Sequence, residues 1–448
     1  EGRPFNHEQR ALVYRRAKNV SSVEPFGSLL DIDKPPYEWL AHSIAAKHTA
    51  DDCPRVSVGA PGTAQPYSAS VFNISAMSFG SLGAHAIEAL STGAKMGDFY
   101  HDTGEGGVSP YHRAGGADLV WEIGSGYFGC RAQDGTFDAA RFADVAKDPQ
   151  IKMIEIKLSQ GAKPGHGGVL PGAKVTAEIA ATRGIPIGET CFSPPGHSAF
   201  STPIEMMEFV ARLRDLSGGK PVGIKFCVGN RWEILALCKA MLETGIRTDF
   251  MVVDGGEGGT GAAPAEFLDH IGAPLRQGLV LARNALIGTG LKDHVRLACS
   301  GKQTSAFAIA SSMALGADWV NTARGFMFSL GCIQSLNCHN NSCPTGIATT
   351  DKGRQRGLVV ADKAERVYNF HRNTVKALME VVGAAGCEHP AELTPRHIMH
   401  RVTEDITLPA HRAYDLLEKN ALLDTPEDTQ LADEWAMAQA ASFRPLSL

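Results

Sequence analysis

PVGIKFCVGNRWEILALCKAMLETGIRTDFMVVDGG, residues 221–256, contains two short apolar runs separated by a stretch with helical period. The runs begin at Pro221 and Asp249, and the helix between them is predicted over residues 232–242. Glycine and polar residues end each run. This order is typical of a βαβ unit in a parallel sheet, so the stretch predicts an α/β protein.

The same alternation extends over most of the chain. Further helices are predicted over residues 202–216 and 304–315. The eight candidate strands begin at Val71, Phe99, Ile151, Thr190, Pro221, Asp249, Val295 and Trp319. Eight βα units predict a closed (β/α)8 barrel, a TIM barrel, whose active site is built from the loops after the strands.

Three regions are predicted along the chain. Residues 1–70 contain several prolines without clear periodicity and are interpreted as an N-terminal extension that wraps the barrel. Residues 71–350 form the barrel and end in a cysteine cluster, and residues 351–448 form C-terminal helices outside it. The loops 115–138 and 161–174 are longer than most βα connections and are predicted to be insertions that face the substrate.

Composition excludes two classes of partner. The 448 residues carry a formal charge of −5 without a long basic run, so nucleic acid is not expected to be the main partner. No apolar stretch approaches the roughly 20 residues of a membrane span, and no signal-peptide pattern opens the chain. A cytoplasmic location is therefore expected, although the first residue, Glu1, leaves open a removed N-terminal anchor.

Seven of the ten cysteines are scattered and are expected to be buried thiols in a reducing compartment. They are Cys53, Cys130, Cys191, Cys227, Cys238, Cys299 and Cys387.

The other three, Cys332, Cys338 and Cys343, lie in GCIQSLNCHNNSCPTGIAT with the spacing C-x5-C-x4-C and a proline after the last thiol. Close thiolates with a Cys-Pro ending favour an iron–sulfur cluster, and three ligands indicate a three-iron cluster. Structural zinc with His339 as fourth ligand is a second interpretation, although the paired C-x2-4-C spacing of zinc sites is absent. Three buried cysteines without a metal are a third.

Two loops late in the predicted barrel suit a cofactor phosphate. In this fold a phosphate commonly lies at the loops after the seventh and eighth strands. These loops contain Ser300, Gly301 and Lys302, and Thr322, Ala323 and Arg324. Each supplies small residues and a cation, although turn glycines with solvated cations would give the same pattern.

GGEGGTG, from Gly255, supplies a further glycine loop. It contains a literal G-x-G-x-x-G, but it lies late in the chain and AAP follows it, so a Rossmann site is not favoured. A loop over a flavin ring is the better interpretation, with Gly256, Gly258, Gly259 and Thr260 as the contact residues.

Lys225, within the apolar run VGIKFCV, is predicted to point into the barrel mouth. There its ammonium group would stabilise negative charge on a reduced flavin ring. The alternative is that Lys225 is a surface lysine that extends its ammonium group into solvent.

Five stretches together resemble the FMN-binding domain of the glutamate synthase large subunit, and more specifically the stand-alone FMN-binding glutamate synthase family. They are SAMSFGSLG from Ser75, TGEGG from Thr103, GAKPGHGGVLPGAKV from Gly161, GGEGGTGAAP from Gly255 and GCIQSLNCHNNSCPTGIAT from Gly331. The resemblance extends from about residue 72 to about residue 401.

The resemblance implies FMN in the barrel mouth, a [3Fe-4S] cluster on the three cysteines, and conversion of 2-oxoglutarate to L-glutamate through 2-iminoglutarate. Ser75, Met77 and Ser78 would lie by the flavin, Lys225 near its ring, and Gly301 and Arg324 near its phosphate.

The same resemblance places Glu105 and Lys163 in the motifs that serve the 2-oxo acid. A lysine can pair with a substrate carboxylate, and a glutamate can assist proton transfer. The alternative is that Glu105 and Lys163 are charged residues of solvent-exposed loops without a role in the reaction.

Two departures from the family affect the expected activity. Val169 replaces a usual glutamine, and valine cannot hydrogen-bond a carboxylate. Neither a glutaminase with a leading cysteine nor an NAD(P)H domain is recognised. We therefore expect an oligomer with separate glutaminase and electron-donor subunits, or a ferredoxin. The alternatives are an N-methylglutamate synthase-like subunit (methylamine–glutamate N-methyltransferase), a related flavin and iron–sulfur enzyme for another 2-oxo or amino acid, and a non-enzymatic electron-carrying subunit.

Overall fold

Eight parallel strands close into a barrel, as the sequence predicts. The structure, a computed structural model, describes residues 3–21, 23–50, 52–59 and 63–447; Glu1 lies outside these ranges. In chain order the barrel strands are β1 Phe72–Ile74, β2 His101–Asp102, β3 Leu119–Ile123, β4 Ile151–Lys157, β5 Val222–Phe226, β6 Phe250–Asp254, β7 Arg296–Ser300 and β8 Trp319–Thr322. The barrel closes where β8 pairs with β1, with Val320 opposite Phe72.

The strands form because their sequences suit burial on both faces. Every residue of β3, β5, β6 and β8 is buried, as expected for parallel strands covered by helices. The bottom of the barrel is covered by the hairpin of Arg55–Val58 and Tyr67–Ser70, which packs an apolar layer against Trp319 and Phe250. The other end is left open to the loops after the strands.

One predicted strand is wrong, and one strand was not predicted. The run TCFSPP from Thr190 contributes only Cys191–Phe192, which pairs antiparallel with Val169–Leu170 outside the barrel. Two prolines follow it, and proline cannot donate to a strand ladder. The true third strand, Leu119–Ile123, lies within the predicted insertion 115–138, so that segment is not one long loop.

The three predicted helices are confirmed, and two of them begin at side-chain caps. Helix Pro203–Leu216 begins after Thr202, which forms a capping box with Glu205. Helix Ala306–Ala314 begins after Ser305, whose hydroxyl accepts a backbone N–H, and Arg231–Thr244 is the third.

The remaining helices follow the strands or extend the chain beyond the barrel. Those of the barrel region are Ala84–Met96, Pro110–Ala114, Ala139–Ala146, Ala177–Arg183, Ala265–His270, Leu275–Gly288 and Arg324–Leu330, with 3-10 turns at Gly172–Lys174 and Leu291–Asp293. Those outside it are His7–Ala17, Lys352–Gln355, Val360–Ala384, Ala410–Ala413, Ala421–Asp424 and Ala432–Met437, with 3-10 turns at Pro390–Glu392 and Pro426–Asp428.

Segments before and after the barrel pack against each other on its outside. The long helix Val360–Ala384 packs against Ala84–Met96 and against the N-terminal helix His7–Ala17, which the sequence did not predict. Strand Tyr37–Leu40 joins Ile398–Arg401 and Thr407–Pro409 in an antiparallel sheet. The C-terminal region thus contributes the predicted outer helices, together with two strands.

No helix within the described residues combines the length and the apolar character that crossing a bilayer requires.

Candidate functional site

A cavity of about 1030 Å³ opens at the C-terminal ends of the strands, where the active sites of this fold lie. Its walls come from the segments after β1, β2, β4, β6 and β8 and from the cysteine loop. The predicted insertion 161–174 and the glycine loop 255–261 both contribute to the wall, and Glu122 from the other predicted insertion, 115–138, also lines it. The cavity therefore brings together motifs that are far apart in the chain.

Glu105 lies in this cavity at the end of the turn that follows β2. The turn requires Gly104, which has a φ of +65° and lies so close to Ser78 that a Cβ would be 2.8 Å from its backbone nitrogen. The Glu105 carboxylate is 3.1 Å from the ammonium group of Lys157, the last residue of β4. The turn thus holds an ion pair in the cavity wall.

Three cations surround this carboxylate: Lys157, Lys163 and Arg183, all lining the cavity. Burial alone would raise the pKa of Glu105, but the three cations together lower it below its usual range. Burial, with the neighbouring Lys157, lowers the pKa of Lys163 to about 8. The Lys163 ammonium donates to the carbonyl oxygen of Ala262 at 2.9 Å, which ties the loop 161–174 to the glycine loop.

Arg183 is a site residue that the sequence did not predict. It ends helix Ala177–Arg183 and is only 4% exposed, and its Nε has no hydrogen-bond partner among the residues that the structure describes. Its guanidinium group lies 5.1 Å from the ring of Phe128 and 3.4 Å from the Ser78 hydroxyl. A buried arginine with an unsatisfied donor is suited to bind an anion. Only its position after the AKPGHGG segment could have indicated it.

Most of the predicted flavin contacts line the same cavity. They are Met77, Ser78, Gly256, Gly258, Gly259, Thr260, Lys302, Ala323 and Arg324. A Cβ on Gly259 would lie 2.7 Å from the Arg324 side chain, so a larger residue there would displace the guanidinium group. Arg324 donates to the carbonyl oxygen of Glu257 at 2.7 Å, and burial lowers its pKa to about 10.

The other five predicted contacts lie behind the cavity wall: Ser75, Lys225, Ser300, Gly301 and Thr322. The Ser300 hydroxyl donates to Asp254 at 2.6 Å, and the Thr322 carbonyl oxygen accepts the Ser75 N–H at 3.1 Å. Gly301 has a φ of +139°, which favours glycine. Ser75, Ser300 and Thr322 are thus engaged with neighbouring strands.

Lys225 does not present a free ammonium group to the cavity. It lies 2.7 Å from Glu122, which lines the cavity, and 4.0 Å from Glu155. Burial alone would lower the pKa of Lys225, but Glu122, Glu155 and Asp102 together raise it well above its usual value. The cation expected near a flavin ring is therefore neutralised by carboxylates.

The three clustered cysteines all line the cavity, and their thiols are free. Burial raises the pKa of Cys332 to about 11, whereas backbone N–H groups outweigh burial and lower the pKa of Cys343. The Tyr14 hydroxyl donates to the Cys332 carbonyl oxygen at 2.5 Å. His339, the fourth ligand in the zinc interpretation, is exposed and does not line the cavity.

Of the scattered cysteines, all are buried except Cys53, which is half-buried. Cys191 is both buried and part of the cavity wall. It lies on the small strand that the sequence assigned to the barrel.

A conserved region of glutamate synthase matches residues 60–388, which include the whole barrel and the cysteine loop. The chain belongs to the glutamate synthase family. The predicted resemblance is thereby confirmed.

Several members of this family align with most of the chain. The glutamate synthase large subunit-like protein YerD of Bacillus subtilis (strain 168) is 43% identical over 73% of this chain and 62% of its own length. The archaeal glutamate synthase [NADPH] of Methanocaldococcus jannaschii is 32% identical over 70% of this chain and 58% of its own. The chain thus spans less than two thirds of these relatives.

Among solved structures, the recombinant flavin-binding domain of baker's yeast flavocytochrome b2 aligns with 92% of this chain and 84% of its own, at 13% identity and a TM-score of 0.48.

Proposed function

We propose that this member of the glutamate synthase family is an FMN-dependent oxidoreductase that aminates 2-oxoglutarate reductively to L-glutamate, with electrons delivered through a [3Fe-4S] cluster. Ammonia, the 2-oxo acid and an external electron donor are the reactants. A separate glutaminase and a separate donor subunit or ferredoxin would supply the nitrogen and the electrons.

The charge of the cavity around Glu105 is the main support for this substrate. Three cations, Lys157, Lys163 and Arg183, face one carboxylate there, which leaves a net charge of about +2 at neutral pH. A dicarboxylate such as 2-oxoglutarate would neutralise it. A monocarboxylate would leave one buried cation without a counter-charge, and that is costly.

The residues fit both cofactors. For the cluster, three thiols, one buried and two half-buried, line the cavity, and the Gln334 backbone N–H donates to the Cys332 sulfur at 3.5 Å, as protein amides do around iron–sulfur sulfurs. For FMN, the cavity volume is ample, and Lys302 and Arg324 lie beside the glycine loop, where a phosphate would be held. When bound, FMN supplies the two-electron reduction that no side chain can perform.

The chain's own residues then bind the substrate and move its protons. Lys163 and Arg183 bind carboxylate oxygens of the 2-oxo acid. Lys157 keeps Glu105 ionised, so that this carboxylate can accept a proton from the incoming amine and return it to the departing oxygen. Loss of water yields the imine that is reduced to the amino acid.

Val169 supports a second candidate, a related 2-oxo acid. It lines the cavity one residue after Gly168. A Cβ added at Gly168 would lie 2.4 Å from the Glu105 carboxylate, so this segment passes close to Glu105. A valine there offers apolar contact and no hydrogen bond, so a 2-oxo acid with an apolar segment beside this wall is favoured by the same geometry.

The test is anaerobic purification followed by flavin, iron and zinc analysis and by turnover assays. We expect about one FMN and about three irons per chain. 2-Oxoglutarate and other 2-oxo acids are each supplied with ammonium, methylamine or glutamine and an artificial reductant. Ammonium-dependent glutamate formation supports the proposal. Turnover only with methylamine would indicate the N-methylglutamate synthase-like activity, and zinc without flavin would refute the proposal.

A further inference from the structure

Asp102, Glu122 and Glu155 form a carboxylate cluster inside the barrel. One oxygen of each lies within 4.8 Å of the others, and none of the three residues is more than 2% exposed. Glu122 and Glu155 stand directly opposite each other on β3 and β4. Within the described part of the chain, the ion pairs of this cluster involve one cation, Lys225.

The cluster therefore contains more carboxylates than it can keep ionised. Lys225 lies closest to Glu122, so this pair is neutral as a whole. Asp102 and Glu155 remain, and two carboxylates at this separation away from water cannot both be charged. One proton must be shared by them near neutral pH.

The protonation behaviour of the two groups agrees with this count. Burial and the neighbouring Glu122 raise the pKa of Asp102 to about 7. Burial and Asp102 raise the pKa of Glu155 well above its usual value. Because the two groups interact, their titration belongs to the pair and not to either residue.

A metal ion or a purely structural role explains the cluster less well. The ammonium group of Lys225 already lies beside two of the three carboxylates, 2.7 Å from Glu122 and 4.0 Å from Glu155. For stability alone, apolar residues in a barrel interior would serve at least as well as buried carboxylates. Among the described residues, moreover, one buried oxygen of Glu155 has no hydrogen-bond partner.

Two contacts connect the carboxylate cluster to the cavity. Glu122, bound to Lys225, lines the cavity. Asp102 accepts the N–H of Gly104 at 2.9 Å, and Gly104 precedes Glu105 in the turn that also forms the wall. A change of charge in the cavity is therefore felt by Asp102 through a low-dielectric interior.

The other ionisable groups that interact with this cluster are held by separate partners. Asp254, on β6, accepts the hydroxyl of Ser300 and the N–H of Gly161. Tyr100, just before β2, donates to Asn321 at 2.7 Å and accepts from Trp319. Burial raises the pKa of Tyr100 well above its usual value, so it stays neutral.

We propose that Asp102 and Glu155 hold one proton between them and exchange protons with solvent as negative charge enters and leaves the cavity. The exchange rests on the proposed function, in which an external donor delivers two electrons to the cavity. The pair then changes from one shared proton to two, and it returns the second proton when the electrons leave with the substrate. Because neither residue lines the cavity, both are positioning residues.

The shared proton is tested by infrared spectroscopy of the purified protein in D2O at neutral pH. We expect a carbonyl band of a protonated carboxylic acid that is lost in Asp102→Asn and in Glu155→Gln, since the remaining carboxyl can then ionise. Glu38→Gln, which removes a carboxylate of a remote ion pair with Arg276, should leave the band unchanged. Absence of the band in the wild type, or its persistence in both variants, would overturn the proposal.

Proton uptake tests the link to the cavity. The holoprotein is reduced electrochemically at pH 7 in weak buffer with an indicator dye. The wild type should take up about one proton per chain more than the double variant Asp102→Asn/Glu155→Gln, in which neither carboxyl of the pair remains. Equal uptake in these two proteins with flavin bound would refute the link. If no flavin or iron is present, the proposed function fails, and the infrared result still decides whether the proton is shared. If the double variant does not fold, the infrared band of the wild type decides the link: reduction should increase the band, and an unchanged band would refute the link.

Discussion

At Glu105, the ion pair with Lys157 sets the charge state that a proton-transfer group needs. Glu105→Gln should lower kcat by about 100-fold or more, because an amide cannot accept the proton. FMN and iron content should not change. Glu178→Gln, which alters an exposed carboxylate of the neighbouring helix Ala177–Arg183, is the matched control and should retain full activity. Equal activity of the two variants would remove Glu105 from the reaction.

Lys163 should give substrate binding a pH dependence. Its pKa of about 8 means that the cation is present below this pH and is lost as the pH rises through it. The KM for the 2-oxo acid should therefore increase above about pH 8, while Arg183 remains charged. Steady-state kinetics from pH 6.5 to 9.5 measure this. Lys163→Met should have a high KM with little pH dependence, and an identical profile in both proteins would contradict the assignment.

Cys338 tests the cluster ligands. Cys338→Ser should lose iron and reduction by a one-electron donor, because serine is a poor ligand for the cluster. FMN binding and the circular dichroism spectrum should be retained, because Cys338 is only partly buried and lies at the edge of the hydrophobic core. Cys53→Ser changes a thiol outside the cavity wall and should keep its iron. Full iron content in Cys338→Ser would show that Cys338 is not a ligand.

The residues of the site differ in how well the sequence predicts them. Glu105, Lys163 and the three cysteines lie in compact motifs with glycine or regular spacing, and the cavity brings them together. Lys157 and Arg183 lie in an ordinary strand and an ordinary helix, where a charged residue is usually a solvated one. Their role depends on contacts with Glu105 across many residues of the chain, which local pattern does not contain.

At the scale of the elements, helix Ala84–Met96 approaches the long helix Val360–Ala384 through Gly93. A Cβ at this position would lie 2.6 Å from the Ala364 carbonyl oxygen and from Val367. Gly93→Val should therefore separate the helices and lower the free energy of unfolding by about 1–3 kcal/mol. Urea denaturation measures this. Gly196→Val, where no atom lies within 4 Å of the added Cβ, should change stability little, and equal loss in both variants would contradict this explanation.

The sequence predicts a helix or strand correctly where neighbouring residues alone carry its pattern. Seven barrel strands and the three helices follow from apolar runs, helical period and caps such as Thr202. Strand β3 was not predicted because glycine and polar residues flank the run LVWEI on both sides, so the whole segment 115–138 was interpreted as a loop. The run from Thr190 has the apolar character of a barrel strand, but its residues Cys191–Phe192 pair with Val169–Leu170 outside the barrel.

At the scale of the whole molecule, the first residues of the chain complete the wall that carries the thiols. Tyr14 binds the Cys332 carbonyl oxygen, and the Phe5 backbone exchanges two hydrogen bonds with the side chain of Gln334. Tyr14→Phe should therefore lose iron faster in air than the wild type, while the barrel keeps its thermal transition. Tyr111→Phe removes a hydroxyl bonded to the exposed Glu178 and is the matched control. Equal rates of iron loss would show that this contact does not protect the site.

The contact between Tyr14 and Cys332 joins residues 318 positions apart. A growing chain therefore carries Tyr14 without this partner until 318 further residues have been made. Contacts of such long sequence separation form late and slowly. The thiols would thus pass through an interval of exposure to oxygen and to competing metals. Assembly of the proposed cluster in the cell should therefore depend on iron delivery after the cysteine loop has been synthesised.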